Sequence, residues 1–256
     1  MINRLIIILV IGFCLFCCKN DSFETVKNKV VVKFKNDSVN KENVLLILEN
    51  SRYEKHYTGS LYRKYLKLFE RYSDDPLKLE NELLCFKKGS QKYVFENDLN
   101  TDFENNFISY LENIYKTTAK VSWAKNIEKQ DLLNYILPYK VNDSKPEKWF
   151  EAVHKDFGNE VFKFDSISKA TIYLMKKAST MIDGFKINSK LDLPDLPYSV
   201  LKKLRVGTCK ELSHYTCYIL RSYAIPCYED FTPNYTNIGS GHFWNAVKDE
   251  SKVLKP

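Results

Sequence analysis

The residues best suited to covalent chemistry are Cys209, in the run Gly207-Thr208-Cys209-Lys210-Glu211, and His242, in Gly239-Ser240-Gly241-His242-Phe243-Trp244-Asn245. A thiolate attacks an acyl carbon and an imidazole takes and returns the proton, which is the chemistry of acyl transfer through a thioester. Thr208 and Glu211 have the spacing of a capping box, in which the threonine hydroxyl accepts from the amide three residues on and the glutamate reaches back to the threonine amide. With Thr208 as N-cap, Cys209 becomes the first helical residue. Its sulfur then lies beside unpaired amides and the positive end of the helix dipole, which favour a negative sulfur. A lone cysteine in a helix is more often a small buried hydrophobe, and a lone histidine more often structural. The two together, in this order and spacing, point to a site.

The elements that must position them follow from periodicity. Leu212, Tyr215, Thr216, Ile219, Leu220 and Tyr223 recur at helical spacing, and Ala224-Ile225-Pro226 stops the helix. Cys227 to Thr232 alternates in type and predicts a strand; Pro233 to Gly241 is a turn-rich loop, and His242 to Val247 predicts a second strand. The order is cysteine helix, strand, loop, histidine strand.

At this point the sequence resembles the transglutaminase-like superfamily of papain-fold cysteine enzymes. The carrying residues are Gly-Thr-Cys at 207–209, Leu-Arg-Ser-Tyr-Ala-Ile-Pro at 220–226 and Gly-His-Phe-Trp-Asn-Ala-Val at 241–247. Tyr135 to Val141, followed by Trp149, is similar to the opening of these domains in bacterial lipoprotein members, and weaker similarity runs back to about Asn43. The resemblance implies an α+β fold with a papain/transglutaminase-like core, a cysteine-bearing helix packed on an antiparallel sheet, preceded by a mainly helical region. It implies thiol acyl transfer or amide hydrolysis on a peptide or glycopeptide through Cys209 and His242. The alternative is a catalytically impaired member that keeps the fold as a surface module binding a peptide or partner.

Acyl-transfer cysteine sites use a third group, Asp or Asn, to hold the histidine tautomer, and the resemblance places it on the strand after the histidine strand. With Lys248 to Ser251 as the turn and Lys252-Val253-Leu254 returning, the position facing His242 is expected near residue 257 or 258, past Pro256. The expectation is thus a chain cut short of that residue, or a degenerate member. Asp249 cannot substitute, since seven strand residues at about 3.3 Å each place it roughly 23 Å away. The Cys209 amide is one oxyanion donor; no motif places the second.

Residues 1–18 have the pattern of a lipoprotein signal peptide. Arg4 gives the positive start, Leu5 to Cys17 the apolar run, and Leu15-Phe16-Cys17-Cys18 a lipobox-like end whose Cys18 would be acylated. That run is short of the roughly 20 residues that a membrane span needs. The reading implies anchorage by lipid at the cell envelope of a Gram-negative bacterium. A tether over 19–40, a helical region over 41–125 and the transglutaminase-like domain over 126–256 complete the expected organisation. Within the helical region, Val44 to Leu48, Leu61 to Phe69 and Asn105 to Lys116 give apolar faces, and Asp74-Asp75-Pro76 an N-cap followed by proline in the first turn. Downstream, Lys145-Pro146-Glu147 is expected to open a helix carrying Trp149, Ser166 to Met181 to form a longer one, and Trp123 and Trp149 to be core.

The net charge of +7 comes from dispersed lysines, with no arginine-rich stripe or basic-aromatic motif that would suggest nucleic acid. Cys85, Cys209, Cys217 and Cys227 are too few for a disulfide scaffold. Cys217 and Cys227 lie on adjacent elements, where an oxidising compartment permits pairing, although free buried thiols are commoner. His56, His154, His214 and His242 have no metal-ligand spacing, and nothing calls for a cofactor.

Overall fold

In the computed structural model, which describes residues 23–86, 92–100, 102–235, 240–249 and 254–255, the chain starts with helix α1 over 23–33. The expected tether over 19–40 is therefore helical from residue 23. Phe23, Val26 and Val30 fall on one helical face and are buried, and that apolar stripe draws the segment into the core. Ion pairs from Lys29 to Glu104 and from Lys33 to Glu112 hold it beside a later helix.

Helix α2 (Ser38–Ser51) is opened by Asp37, whose carboxylate accepts from the Asn40 amide at 3.0 Å. α3 (Gly59–Arg71) buries Leu61, Tyr62, Tyr65 and Phe69. α4 (Pro76–Cys85) starts as its sequence predicts: Asp75 accepts from the Lys78 amide at 3.0 Å and Pro76 occupies the first turn, where its missing N–H is no loss. α5 (Phe103–Thr118) completes the leading helices. One element went unseen by the helical pattern. Strand β1 (Lys55–Thr58) pairs antiparallel with β2 (Val94–Asn97), His56 opposite Glu96. Four-residue strands are too short to show a period of two.

Next come the single turn α6 (Lys129–Asp131) with a π turn over Leu132–Ile136, α7 (Trp149–Phe157) and α8 (Ile167–Met181). Ser166 caps α8, accepting from Lys169 at 3.4 Å. α7 begins at Trp149 rather than at the expected Lys145-Pro146-Glu147, which remains non-helical. Strands β3 (Lys186–Ile187) and β4 (Val206–Gly207) pair in parallel, on either side of the short α9 (Tyr198–Leu201). Then follow α10 (Cys209–Ser222), β5 (Cys227–Tyr235), β6 (Ser240–Lys248) and β7 (Leu254–Lys255), the strands forming one antiparallel sheet in the order β5-β6-β7. The fold is a helix-rich α+β fold with small antiparallel sheets.

α10 lies at the middle of the molecule. Its contacts run to β5, β6, α7, α8 and α9, so ten of its fourteen residues are buried on all sides rather than along one stripe. One apolar cluster reaches from Phe23 to Cys227, and no break in it falls between the leading helices and the sheet. Trp123 and Trp149 are both core: Trp123 donates to the Ala224 carbonyl at 3.2 Å, and Trp149 to the Tyr139 carbonyl at 2.7 Å. The first of these ties the turn after α10 to the leading region. Ala224 adopts φ 55°, which ends the helix two residues before Pro226. No helix among the described residues is long and apolar enough to cross a membrane.

Candidate active site

The start of α10 is built as the sequence predicts, with one added partner. The Glu211 carboxylate accepts from the Thr208 amide at 2.7 Å and from the Thr208 hydroxyl at 2.8 Å. The hydroxyl oxygen also accepts from the Lys210 amide at 3.1 Å. Both sides of the capping box are present, and Cys209 is the first helical residue, half-buried. Thr208→Ala is expected to lower stability by about 1 kcal/mol, read as a shift of the urea midpoint at unchanged slope. A mutant as stable as its parent would remove the cap from the account.

Cys209 opens onto a cavity of about 530 Å³, also bordered by Thr208, Lys210, Gly241, His242 and Phe243. Its apolar wall is Ile187, Leu191, Leu193 and Phe231. Lys210 fixes the segment that carries this wall, since its ammonium donates to the Leu193 carbonyl at 2.7 Å and pairs with Asp195 at 3.1 Å. Phe231 and Phe243 stand opposite one another across β5 and β6 with ring centroids 4.6 Å apart. Gly241 makes room for this pair: a Cβ there would come within 2.5 Å of the Phe231 ring. Sequence reasoning passed over Phe231 and the 187–193 wall, because a strand aromatic and a loop leucine have no local mark of a cavity.

His242 borders the cavity, and the alternation of β6 decides how. Asn245 donates to the Ser213 carbonyl of α10 at 3.2 Å, so Phe243 and Asn245 are on the α10 side of the strand. His242 and Trp244 belong to the other side, their rings stacked at 6.0 Å. On that side Tyr228 of β5 bonds Asp131 at 2.5 Å, and Lys248 pairs with Glu128 at 2.9 Å. The Cys209 sulfur itself accepts from the Phe243 amide at 3.4 Å. Strand amides lie in the plane of the sheet, so the sulfur stands at the edge of β6 rather than on a face. Among the described residues, β7 covers that edge only at Val247 and Lys248. Asp249 is occupied elsewhere, accepting from Ser168 of α8 at 3.2 Å.

Beneath the cavity α10 carries a buried polar group that its sequence did not advertise. Glu229 of β5 accepts from the Ser213 hydroxyl at 2.7 Å and from Asn142 at 3.1 Å, and it pairs with His214 at 3.2 Å. Burial opposes the Glu229 charge, yet His214, Ser213 and Asn142 outweigh it and bring the carboxyl down to about 2. Burial also opposes the His214 charge, and the hydrogen bond and charge of Glu229 reverse that too, raising the imidazole above its ordinary value. A charged His214 donates Nε2–H to Glu229. The Asn142 amide, 2.8 Å from the same nitrogen, then serves the carboxylate. Two turns below Cys209, Cys217 and Cys227 are free thiols with sulfurs 3.6 Å apart, and Asn245 donates to both, at 3.3 and 3.5 Å. The Cys227 hydrogen bond, foremost, brings Cys217 down to about 7, while the same contact and burial push Cys227 up.

Cys18 and residues 1–18 lie outside the described residues. Among those described, no group of three or more His, Cys, Asp or Glu side chains is placed to hold a metal ion. No protein-family model, curated protein or solved structure matches this chain.

Proposed function

We propose that the protein is a transglutaminase-like thiol enzyme that cleaves or transfers acyl groups of a peptide or glycopeptide. The observation that carries the reading is Cys209 at the capped first position of α10, opening on a cavity that His242 also borders. Attack on an amide carbonyl forms a C–S bond, and collapse of the tetrahedral adduct expels the amine, which takes a proton from the imidazolium. Water or a second amine then releases the acyl group from the thioester, with His242 as base. To act as that base the His242 ring has to swing round to the sulfur, which the neighbouring Phe243 amide already meets at 3.4 Å. Ile187, Leu191, Leu193, Phe231 and Phe243 fit an apolar group next to the scissile bond. The α10–β5–β6 arrangement, helix on antiparallel sheet, supports a papain-like core.

Cys85, an exposed free thiol, serves as an internal standard. With iodoacetamide at pH 6, Cys209 is expected to be alkylated about tenfold or more faster than Cys85, as followed by peptide mass spectrometry. Equal rates at the two cysteines would remove the activated nucleophile.

A second reading is favoured by one observation, the position of the His242 ring on the side of β6 away from α10. In that reading the same cavity binds a peptide or partner without turnover. We also propose anchorage of the protein at the cell envelope through an acylated Cys18. Radiolabelled palmitate is expected to enter the parent and not Cys18→Ala; label in the mutant would overturn the assignment.

A further inference from the structure

A second cavity, of about 510 Å³, lies at the other end of α10 from Cys209. Its walls come from α2, the π turn, the 138–143 segment and α10, and they are polar: Asn50, Ser51, Asn134, Asn142 and the cations Lys140 and Arg221 among them. The two cations differ in what they are already doing. The Lys140 ammonium is saturated, since it pairs with Asp98 at 2.9 Å and Glu54 at 3.2 Å and donates to the Lys55 carbonyl at 2.5 Å. Asp98 in turn bonds His56 at 2.8 Å and Tyr139 at 2.6 Å, closing that network.

Arg221 is not saturated. It is 9 % exposed, and a guanidinium carries five N–H donors. Among the described residues its one hydrogen bond runs from Nη1 to the Lys140 carbonyl at 3.4 Å. Nε is buried with no partner, and no carboxylate lies within ion-pair distance of the guanidinium among the described residues. A buried guanidinium with no paired carboxylate is costly; burial opposes its charge, and Cys217, Cys227 and Glu229 offset that only as neighbouring negative groups without a direct bond to it. Its place in the last turn of α10 returns part of that cost through the helix dipole. The Arg221 side chain borders the polar cavity. Planar, forked donors of this kind match an oxyanion two-pronged.

We propose that this cavity is a binding site for a small oxyanion, a carboxylate or phosphate group, taken up by Arg221, with Asn142 and Asn134 on its walls. Glu54 and Asp143 border the same space. Glu54 is held by Lys140. For Asp143, burial foremost raises the carboxyl above its ordinary value, against an opposing pull from Lys140. These two acids restrict the anion to the Arg221 end.

The test is equilibrium titration of the purified protein at low ionic strength, with inorganic phosphate in one arm and acetate in the other. At least one of the two is expected to saturate a single site, and the arm that does so identifies the headgroup. Arg221→Met is expected to weaken binding about tenfold or more. Asn134→Asp, on an exposed residue of the rim with no side-chain bond among the described residues, is expected to weaken binding severalfold through like-charge repulsion without unfolding the protein. It decides the matter if Arg221→Met does not fold. Failure of both anions to bind the parent, or unchanged binding in Asn134→Asp and in a folded Arg221→Met, would overturn the site.

Discussion

Glu229→Ala is expected to cost about 3–5 kcal/mol, the usual result of removing one partner from a buried ion pair. The loss has several parts. The carboxylate is the acceptor for the Ser213 hydroxyl, for the Asn142 amide and for His214, which is 1 % exposed. Alanine leaves all three donors facing a void between α10 and β5, and the imidazole must then give up its proton to stay buried. The pH dependence follows from the two shifts. Glu229 has its folded pKa lowered from 4.5 to about 2, so its contribution is full above 4.5 and disappears as pH falls from there towards 2. His214 has its folded pKa raised above 6.5, so its contribution is full below 6.5 and disappears as pH rises through the raised value. The stability gap between parent and mutant, measured by urea unfolding, should therefore be widest between pH 4.5 and 6.5 and narrow on both sides. A gap independent of pH would mean that the pair is not ionised in the folded protein.

How much of this was visible in the sequence divides by range. The helix starts were legible at Thr208-Cys209, Asp75-Pro76 and Ser166, because a cap is an interaction between residues two or three apart. The break at Ala224-Ile225-Pro226 was legible for the same reason. The surroundings of α10 were not. A face of Leu212, Tyr215, Thr216, Ile219 and Leu220 predicts an amphipathic helix, yet Leu212 and Thr216 are only half-buried while Glu211, Ser213 and His214 are buried. Those polar residues find partners far along the chain, Glu229 and Asn142, so no local window shows why they are inside. Arg221 is invisible in the same way. The β1–β2 pair joins residues some forty positions apart, and its four-residue strands hold no periodic signal. In the site, residue types and order brought Cys209 and His242 to one cavity. Side-chain direction on β6 depends on register, and a strand's parity relative to a helix is set only when the whole sheet has formed.

That register is what a pair of active-site substitutions tests. If Cys209 is the nucleophile and His242 its base, Cys209→Ala should bring acyl transfer or amide hydrolysis to the uncatalysed level. His242→Ala should lower turnover by about two to four orders of magnitude, the range of a general base. KM for an apolar acyl donor should change little in His242→Ala, since the wall of Ile187, Leu191, Leu193 and Phe231 is left in place. The readout is steady-state release of amine from a panel of acyl anilides differing in the apolar group, with and without an added amine acceptor. Phe231→Ala then acts on the other parameter. It opens the apolar wall without touching the sulfur, so KM should rise while kcat holds. Loss of turnover in Cys209→Ala with none in His242→Ala would move the base to another group on the cavity, Asp192 being the carboxylate that borders it. A parent that binds the acyl compounds, turns none over and leaves Cys209 no faster to alkylate than Cys85 would decide for the binding module. The His242 ring would then stay on its own side of β6, stacked with Trp244, and the cavity would hold a peptide against a thiol that does not attack it.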